Sequence, residues 1–449
     1  MKEVKNETYD ICVIGAGIAG APIASYLGKS GKNIAIIEFD WGLQERILGE
    51  LLQPGGYMRL CDLGLGDCIE NIDAVPMVGY ALYRQGEEFT IKYPVEGKQI
   101  TGFGLRNGHF MQNLRATLDQ YENITKISGR VMDFIEEDGK VIGVKYIEND
   151  TNEEKILKAH LTVACEGPHA RLRGKLSKAN KKVNGHFVGL KLKNCPLPYP
   201  GHGHLVITDT TPFIIYPISS NEVRLLIDFP GEKPPRFGEK MKELMMEYYY
   251  PLFPESTKES FKNAVEEGAF DMFPNHRLVG EPFMKTGAVL LGDSLNMRHP
   301  ITGGGMSAVF SDVKKLGDQL LQIEDYANTS DVNEKIKVFY ETRHDGTATI
   351  NILADALYQV LSDGNLAEAC YNYLKKGGEK AEGPISILGA LNKDEAYLKK
   401  HFYAVAKQGA KEKLLPFPTP KKIKEGTKMV KKANSILLPL LKTERIHLN

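Results

Sequence analysis

Two short stretches hold the residues whose types and spacing can do chemistry. The first is Gly15-Ala16-Gly17-Ile18-Ala19-Gly20, a G-x-G-x-x-G run with the acidic Glu38 downstream. In such a run Gly15 permits a tight turn, Gly17 lets backbone meet a pyrophosphate, and Gly20 brings a helix against a strand. Glu38 can accept from both hydroxyls of a ribose. The second stretch runs from Gly292-Asp293 to Gly303-Gly304-Gly305-Met306. Here an acid closes a strand and a glycine triplet opens a helix. The triplet lets backbone approach a flat or anionic ligand without a Cβ in the way, and the helix start offers unpaired N–H groups. The sequence offers no Ser-His-Asp set and no metal-ligand cluster, and His202 and His204 read as a turn pair rather than a metal site. The chemistry therefore falls to a bound cofactor. A fingerprint at the N-terminus joined to a late Gly-Asp strand end favours FAD over NAD, as in many flavoproteins. No second G-x-G-x-x-G stands mid-chain, so no separate nicotinamide-binding domain is visible.

The elements that must position these residues read as a doubly wound α/β domain. Apolar runs predict strands at 9–14 and 33–37 around a helix ending near residue 30, and a strand at 287–291 before a helix at 307–320. Residues 123–147 alternate apolar and polar around Asp138-Gly139, a hairpin signal. A strand at 158–165 ends on Glu166-Gly167, followed by Arg171 and Arg173, which read either as a small basic patch or as a surface helix start. Short β-rich runs at 187–192, 203–208, 212–217 and 224–228 suggest an antiparallel sheet roofing a cavity. Phe213, Tyr216, Leu226, Phe229 and the Phe273-Pro274 pair either line that cavity or fill the sheet core. Between the first βαβ unit and the sheet, Arg46 is placed to reach a diphosphate. Gln53-Pro54-Gly55-Gly56 reads as a turn along a flavin edge, with a helix from 58 to 65.

A chain of 449 residues can bury two or three cores. Its net charge is zero, which argues against general nucleic-acid binding. Charge is uneven, however: residues 393–445 hold 14 Lys/Arg against 5 Asp/Glu. The apolar helical pieces of this region, at 351–361, 367–374, 384–391, 401–406 and 436–441, are cut by Lys399, Lys400, Lys407, Lys411 and Lys413. That pattern fits helices lying on an anionic membrane surface, or an ordinary helical cap with a solvated face. None of the six cysteines forms a C-x-x-C pair, and Cys12 and Cys165 read as buried thiols of a reducing compartment. We expect no signal peptide, and no apolar run reaches the ~20 residues needed to cross a bilayer.

Three strings narrow the reading: E-R-I-L-G-E-L-L-Q-P-G-G-Y at 45–57, Asp73-Ala74 with Gly79-Tyr80, and N-M-R-H-P-I-T-G-G-G-M at 296–306. Together they resemble the squalene monooxygenase (squalene epoxidase) family of FAD-dependent, hydroxybenzoate-hydroxylase-like monooxygenases. The resemblance extends from Tyr9 to near the C-terminus, and the last string is its most specific part. It implies an α/β fold in which a Rossmann-like FAD-binding domain carries an antiparallel β-sheet substrate domain and a helical C-terminal region. The FAD-binding domain would comprise residues 1–70, 111–180 and 279–345, with 71–110 an excursion to the substrate domain of 181–278. Residues 346–449 would form the membrane-associating helices. FAD contacts are implied for Glu38, Arg46, Leu51, Asp293 and Met306, beside the glycine turns at Gly15, Gly17, Ile18, Ala19, Gly20 and Gly303, Gly304, Gly305. Tyr80 matches a tyrosine near flavin and substrate.

Three positions depart from the family pattern. Phe39 and His109 stand where arginines are usual, and Glu166 replaces an aspartate. His109 therefore carries no permanent charge toward FAD. The implied activity is epoxidation of squalene to (S)-2,3-oxidosqualene in sterol or triterpenoid biosynthesis. O₂ and electrons from an NADPH-cytochrome P450 reductase-type donor would feed it, at a membrane surface, the endoplasmic reticulum if eukaryotic. A flavin-dependent isoprenoid C=C reductase and a non-catalytic FAD- or lipid-binding protein are the alternative readings.

Overall fold

The computed structural model describes residues 8–94 and 100–444; Arg445, the last charge of the basic tail, lies outside them. The chain opens with β1 (Tyr9–Ile14), α1 (Gly20–Gly28) and β2 (Ile34–Glu38), with β1 and β2 parallel. β3 (Leu51–Leu52) leads into α2 (Pro54–Asp62). Four strands follow, β4 (Val75–Met77), β5 (Gly79–Arg84), β6 (Glu87–Lys92) and β7 (Gly102–Gly104), then α3 (Asn107–Ala116). The next three strands are long: β8 (Ile124–Glu137), β9 (Lys140–Glu148) and β10 (Glu154–Ala164). The start of β8 joins β2 and the end of β10 joins β1, both in parallel. Elsewhere β8 pairs antiparallel with β9 around the Asp138-Gly139 turn, where both residues have positive φ, and β9 in turn pairs antiparallel with β10.

The next segment holds β11 (Lys182–Lys193), β12 (His202–Val206), β13 (Phe213–Pro217), β14 (Glu222–Pro230), α4 (Glu239–Leu244), α5 (Lys258–Glu267) and β15 (Asp271–Arg277). β16 (Ala288–Leu290) then returns to pair in parallel with β10. Its apolar run is fully buried, as expected of a parallel strand covered on both faces. α6 (Gly305–Leu320) and α7 (Thr329–Thr342) complete this part. The C-terminal helices are α8 (His344–Leu361), α9 (Gly364–Leu374), α10 (Glu379–Leu388), α11 (Glu395–Leu414) and α12 (Pro420–Thr443). They build a core of their own around Ile352, Leu366, Ile436 and Leu437.

The second sheet runs β15-β11-β14-β13-β12-β5-β6. It is mixed rather than antiparallel throughout, because β5 and β12 pair in parallel, from His202 opposite Gly79 to Val206 opposite Tyr83. Period-two alternation divides its side chains. Ile214, Tyr216 and Leu226 face the cavity described below. Phe213 and Phe229 do not: they face the opposite side, where both pack on Tyr249 of the helical layer. Residues an odd number apart on a strand cannot share a face, so Phe213 could not accompany Tyr216.

The 53–56 string is also not a turn along a ligand. Gln53 precedes Pro54 at the first position of α2, where a missing N–H is harmless. The Gly55 N–H donates to Gly389 O at 2.8 Å, and a Cβ on Gly55 would overlap Ala390 O. A Cβ on Gly56 would meet Ser307. These glycines let α2 seat against the end of α10 and against α6.

Candidate active site

The C-terminal ends of β1, β10 and β16 meet at one edge of the parallel sheet, where ligands of open α/β folds bind. A cavity of about 860 Å³ opens there and extends to the second sheet. Gly15, φ +90°, turns the chain so tightly that its own Cβ would stand 2.7 Å from Cys165 O. At Gly20 a Cβ would overlap Gly15 O, so α1 can pack on the turn only as glycine. Gly17 differs from both: a Cβ there would meet no atom within 4 Å. Packing within the protein therefore does not require glycine at 17.

Glu38 ends β2 with its carboxylate fixed by backbone. Ala16 N–H donates to Oε2 at 2.7 Å and Asp40 N–H to Oε1 at 2.9 Å. Arg115 supports both groups from behind, donating to Ala16 O at 2.9 Å and standing 3.7 Å from the Glu38 carboxylate. Asp293, after β16, lines the cavity, and among the described residues nothing hydrogen-bonds its carboxylate. Burial raises its pKa, while Arg298, Arg173 and Arg46 pull the other way. An unengaged carboxylate and an open glycine cradle fit a ligand that brings hydroxyls and a diphosphate, as FAD does.

Arg173 is a buried clamp, not a surface patch. It donates to Ser294 O at 2.8 Å, Gly167 O at 3.1 Å, and Pro168 O and Asp293 O at 3.3 Å each. It thus ties the loop after β10 to the loop after β16, whereas Arg171 stays exposed. Glu166 caps the following turn, accepting from Arg171 N and Leu172 N at 3.1 and 3.2 Å.

Of the residues singled out in the sequence, Gly15, Gly17, Ile18, Ala19, Glu38, Phe39, Arg46, Leu51, Asp293, Gly303, Gly305 and Met306 all line the cavity. Phe39 is half exposed with Arg130 stacked 4.1 Å from its ring centre. Gly303 needs its φ of +60°, and a Cβ there would press on Leu51 and Gln53 at 3.1 and 3.3 Å. Three of the implied FAD contacts stand outside the lining. Gly20 acts in packing. A Cβ on Gly304 would meet Ile350 at 2.8 Å, so this glycine admits α8. His109 sits half buried on α3, whose cavity-facing residues are Asn107 and Met111, one turn apart. Two residues from each, His109 falls on the other side of the helix.

Tyr80 also stands behind the lining rather than in it. Its ring packs on Gly203, and its hydroxyl accepts from Gln53 Nε2 at 2.6 Å. The same amide nitrogen donates to Thr302 O at 2.7 Å, and Tyr93 donates to Gln53 Oε1 at 2.7 Å. Gln53, fully buried, therefore couples two tyrosines of the second sheet region to the carbonyl that precedes the glycine triplet. A second bridge joins the same parts. Arg224 on β14 grips Glu50 with two bonds, at 2.7 and 2.9 Å, both side chains nearly fully buried.

Known proteins resemble this chain in sequence and in fold. The sequence profile described as squalene epoxidase matches residues 158–425, and that described as glucose inhibited division protein A matches 10–273. Squalene epoxidase 1 of Arabidopsis thaliana is 40% identical over 446 residues, covering 97% of this chain and 84% of that relative. The chain belongs to the squalene epoxidase family. Squalene monooxygenase of Mus musculus is 36% identical, over 98% of this chain and 78% of its own length. Among solved structures, flavin-dependent brominase Bmp2 superposes with a TM-score of 0.70 at 17% identity, over 90% of this chain and all of that one. PqsL of Pseudomonas aeruginosa, described as a probable FAD-dependent monooxygenase, gives 0.67 at 19%, over 82% of this chain and all of its own. At such low identity these two speak for the fold alone.

The family string N-M-R-H-P-I-T-G-G-G-M gains a structural explanation here. Asn296 Oδ1 and O accept from Arg298 Nη2 at 2.8 Å each, and Arg298 Nη1 donates to Gly305 O at 3.2 Å. His299 accepts from Ile301 N–H and stacks 3.8 Å from Tyr358 of α8. Arg115 and Arg298 have no role in the sequence reading, Gln53 appears there only as part of a turn along a flavin edge, and Arg173 stands between a basic patch and a surface helix start. Of the two that were missed, only Arg298 had a signal, its place inside the most specific string.

Proposed function

We propose that the chain is an FAD-dependent monooxygenase that epoxidises squalene to (S)-2,3-oxidosqualene. The observation that carries this reading is one continuous cavity with a dinucleotide cradle at one end and an apolar sheet face at the other, in a chain of the squalene epoxidase family. When bound, reduced FAD supplies O₂-derived electrophilic oxygen to the alkene. The balance is alkene, O₂, two electrons and two protons in, epoxide and water out. The protein's share is binding, orientation and dryness. Backbone at Gly17 admits the pyrophosphate, Glu38 takes the ribose, and Asp293 takes a hydroxyl of the cofactor. Arg46 adds positive charge beside the diphosphate. Phe187, Ile214, Tyr216, Leu226 and Phe273 offer the alkene an apolar wall and keep water out. Tyr80 acts as a positioning residue, holding Gln53 against Thr302 O beneath the glycine triplet.

Electrons come from an NADPH-cytochrome P450 reductase-type donor, and the chain works on a membrane surface, that of the endoplasmic reticulum in a eukaryote. The α11–α12 hairpin supports this placement. Leu415, Phe417, Ile423 and Leu438 are exposed among its lysines, and none of the described helices is long and apolar enough to cross a membrane. Apolar side chains flanked by lysines suit a helix pair lying in an anionic interface. The test is to incubate the flavin-loaded protein with squalene, NADPH and a reductase. A product heavier by one oxygen is expected; a saturated product, or none, overturns the reading.

A further inference from the structure

The end of α12 reaches into the protein's interior. Glu444, the residue that closes this helix, is buried, although its helix belongs to the basic, partly exposed hairpin. Its carboxylate accepts from Asn351 Nδ2 of α8 at 2.8 Å. The same amide donates to Asn296 Oδ1 at 2.9 Å. Asn296 Oδ1 also accepts from Arg298 at 2.8 Å, and Arg298 donates to Gly305 O at 3.2 Å. All four side chains are more than nine-tenths buried. The Asn296 amide donates its own hydrogen to Leu278 O at 2.9 Å, which fixes its orientation.

A buried carboxylate is costly unless it is bonded and charge-compensated. Burial indeed raises the Glu444 pKa, with Asn351, Arg343 and Arg298 opposing and Asp355 adding to it. Arg298 in turn is compensated by Asp293, Asp312 and Glu444. An apolar side chain would fill the end of α12 as well as Glu444 does, without the desolvation. What the carboxylate adds is a directed acceptor for Asn351.

We propose that Glu444 is a positioning residue for the flavin. Through Asn351, Asn296 and Arg298 it fixes the Gly303–Gly305 backbone, so that the glycine triplet is set only when the C-terminal hairpin is seated. This rests on the flavin reading given above. The relay ties the part of the chain that would meet a membrane to the loop that would meet the flavin ring.

The test uses the full chain and FAD itself as the probe. FAD is removed, and its dissociation constant and bound absorption spectrum are measured on rebinding to wild type, Glu444→Ala, Glu444→Gln and Leu437→Ala. Leu437 is fully buried in the same helix but lies outside the relay. The proposal expects Glu444→Ala to weaken FAD binding about tenfold, the loss of roughly one hydrogen bond to a charged group, and to shift the flavin band. Glu444→Gln, whose amide oxygen still accepts from Asn351, should stay within about threefold of wild type. Leu437→Ala should lower the melting temperature and leave both readouts unchanged. Asn351→Leu cuts the relay at its middle and should match Glu444→Ala, which keeps the test decisive if the latter does not fold. Unchanged binding in Glu444→Ala, equal weakening in Glu444→Gln, or equal weakening in Leu437→Ala overturns the relay. Failure of the wild type to rebind FAD would instead overturn the flavin reading.

Discussion

Tyr80→Phe separates a positioning role from simple packing. The substitution keeps the ring on Gly203 and removes the hydroxyl that accepts from Gln53 Nε2 and also faces Tyr93. Gln53 is fully buried and Tyr80 nearly so, so no water is at hand to replace the hydroxyl. One N–H of a buried amide is left unsatisfied, which costs about 1–3 kcal/mol, while the bond to Thr302 O at 2.7 Å can persist. For a domain of this size that is a fall of roughly 2–4 °C in melting temperature per kcal/mol. Turnover should fall about tenfold if the Thr302–Gly305 backbone shifts by the worth of one such bond. Gln53→Leu removes three bonds at once and should cost about 3 kcal/mol or more in stability, with a larger loss of turnover. The assay is epoxide yield per bound flavin at matched FAD occupancy, beside thermal unfolding of each variant. Equal yields in wild type and Tyr80→Phe would refute the role of Tyr80. A loss in Tyr80→Phe without a loss in Gln53→Leu would refute the route through the amide.

Other consequences follow from the same geometry. Asp293→Ala and Gly17→Val should purify folded but without flavin, the first by losing a hydroxyl contact and the second by filling the open cradle; full flavin content in either removes that residue from the site. Phe417→Ser with Leu415→Ser should reduce sedimentation with anionic vesicles, and wild-type binding should weaken as salt rises; no vesicle binding at all would leave the hairpin as an ordinary cap. His276, buried against the cavity with neither ring nitrogen bonded, has its pKa lowered from 6.5 to about 4, chiefly by burial and then by Lys181, His169, Arg173 and His186. Its folded pKa lies below its unfolded one, so its contribution to stability is complete above pH 6.5 and is lost as pH falls toward 4. The acid-side loss of stability should therefore shrink in His276→Asn, by up to about 1.4 kcal/mol per pH unit over that window; identical pH profiles would contradict this.

The parts legible in the sequence were those whose reasons are local. Gly20 keeps its role because it depends on Gly15 and Val13 within one βαβ unit, and Asp138-Gly139 makes its hairpin within the β8–β9 pair. Gly55 and Gly56 were misread because their reasons lie far along the chain, at Ala390 and Ser307. The parallel pairing of β5 with β12 was invisible for a like reason, since it joins strands with other segments of the chain between them. Alternation decides between the two readings of Phe213: it and Tyr216 are three apart on one strand, hence on opposite faces, and Phe213 belongs to the sheet core. Glu50 and Arg224 are 174 residues apart, and Tyr80 needs Gln53 before its hydroxyl means anything. Such pairs become visible only once the fold exists.

A single-turnover experiment shows whether this chain itself performs the epoxidation and dispenses with any reductase. The flavin-loaded protein is photoreduced without oxygen in the presence of squalene, then mixed with isotope-labelled O₂. The flavin band should return together with 2,3-oxidosqualene carrying one labelled oxygen, at up to one epoxide per flavin. Return of the flavin band with hydrogen peroxide and no labelled epoxide would contradict it.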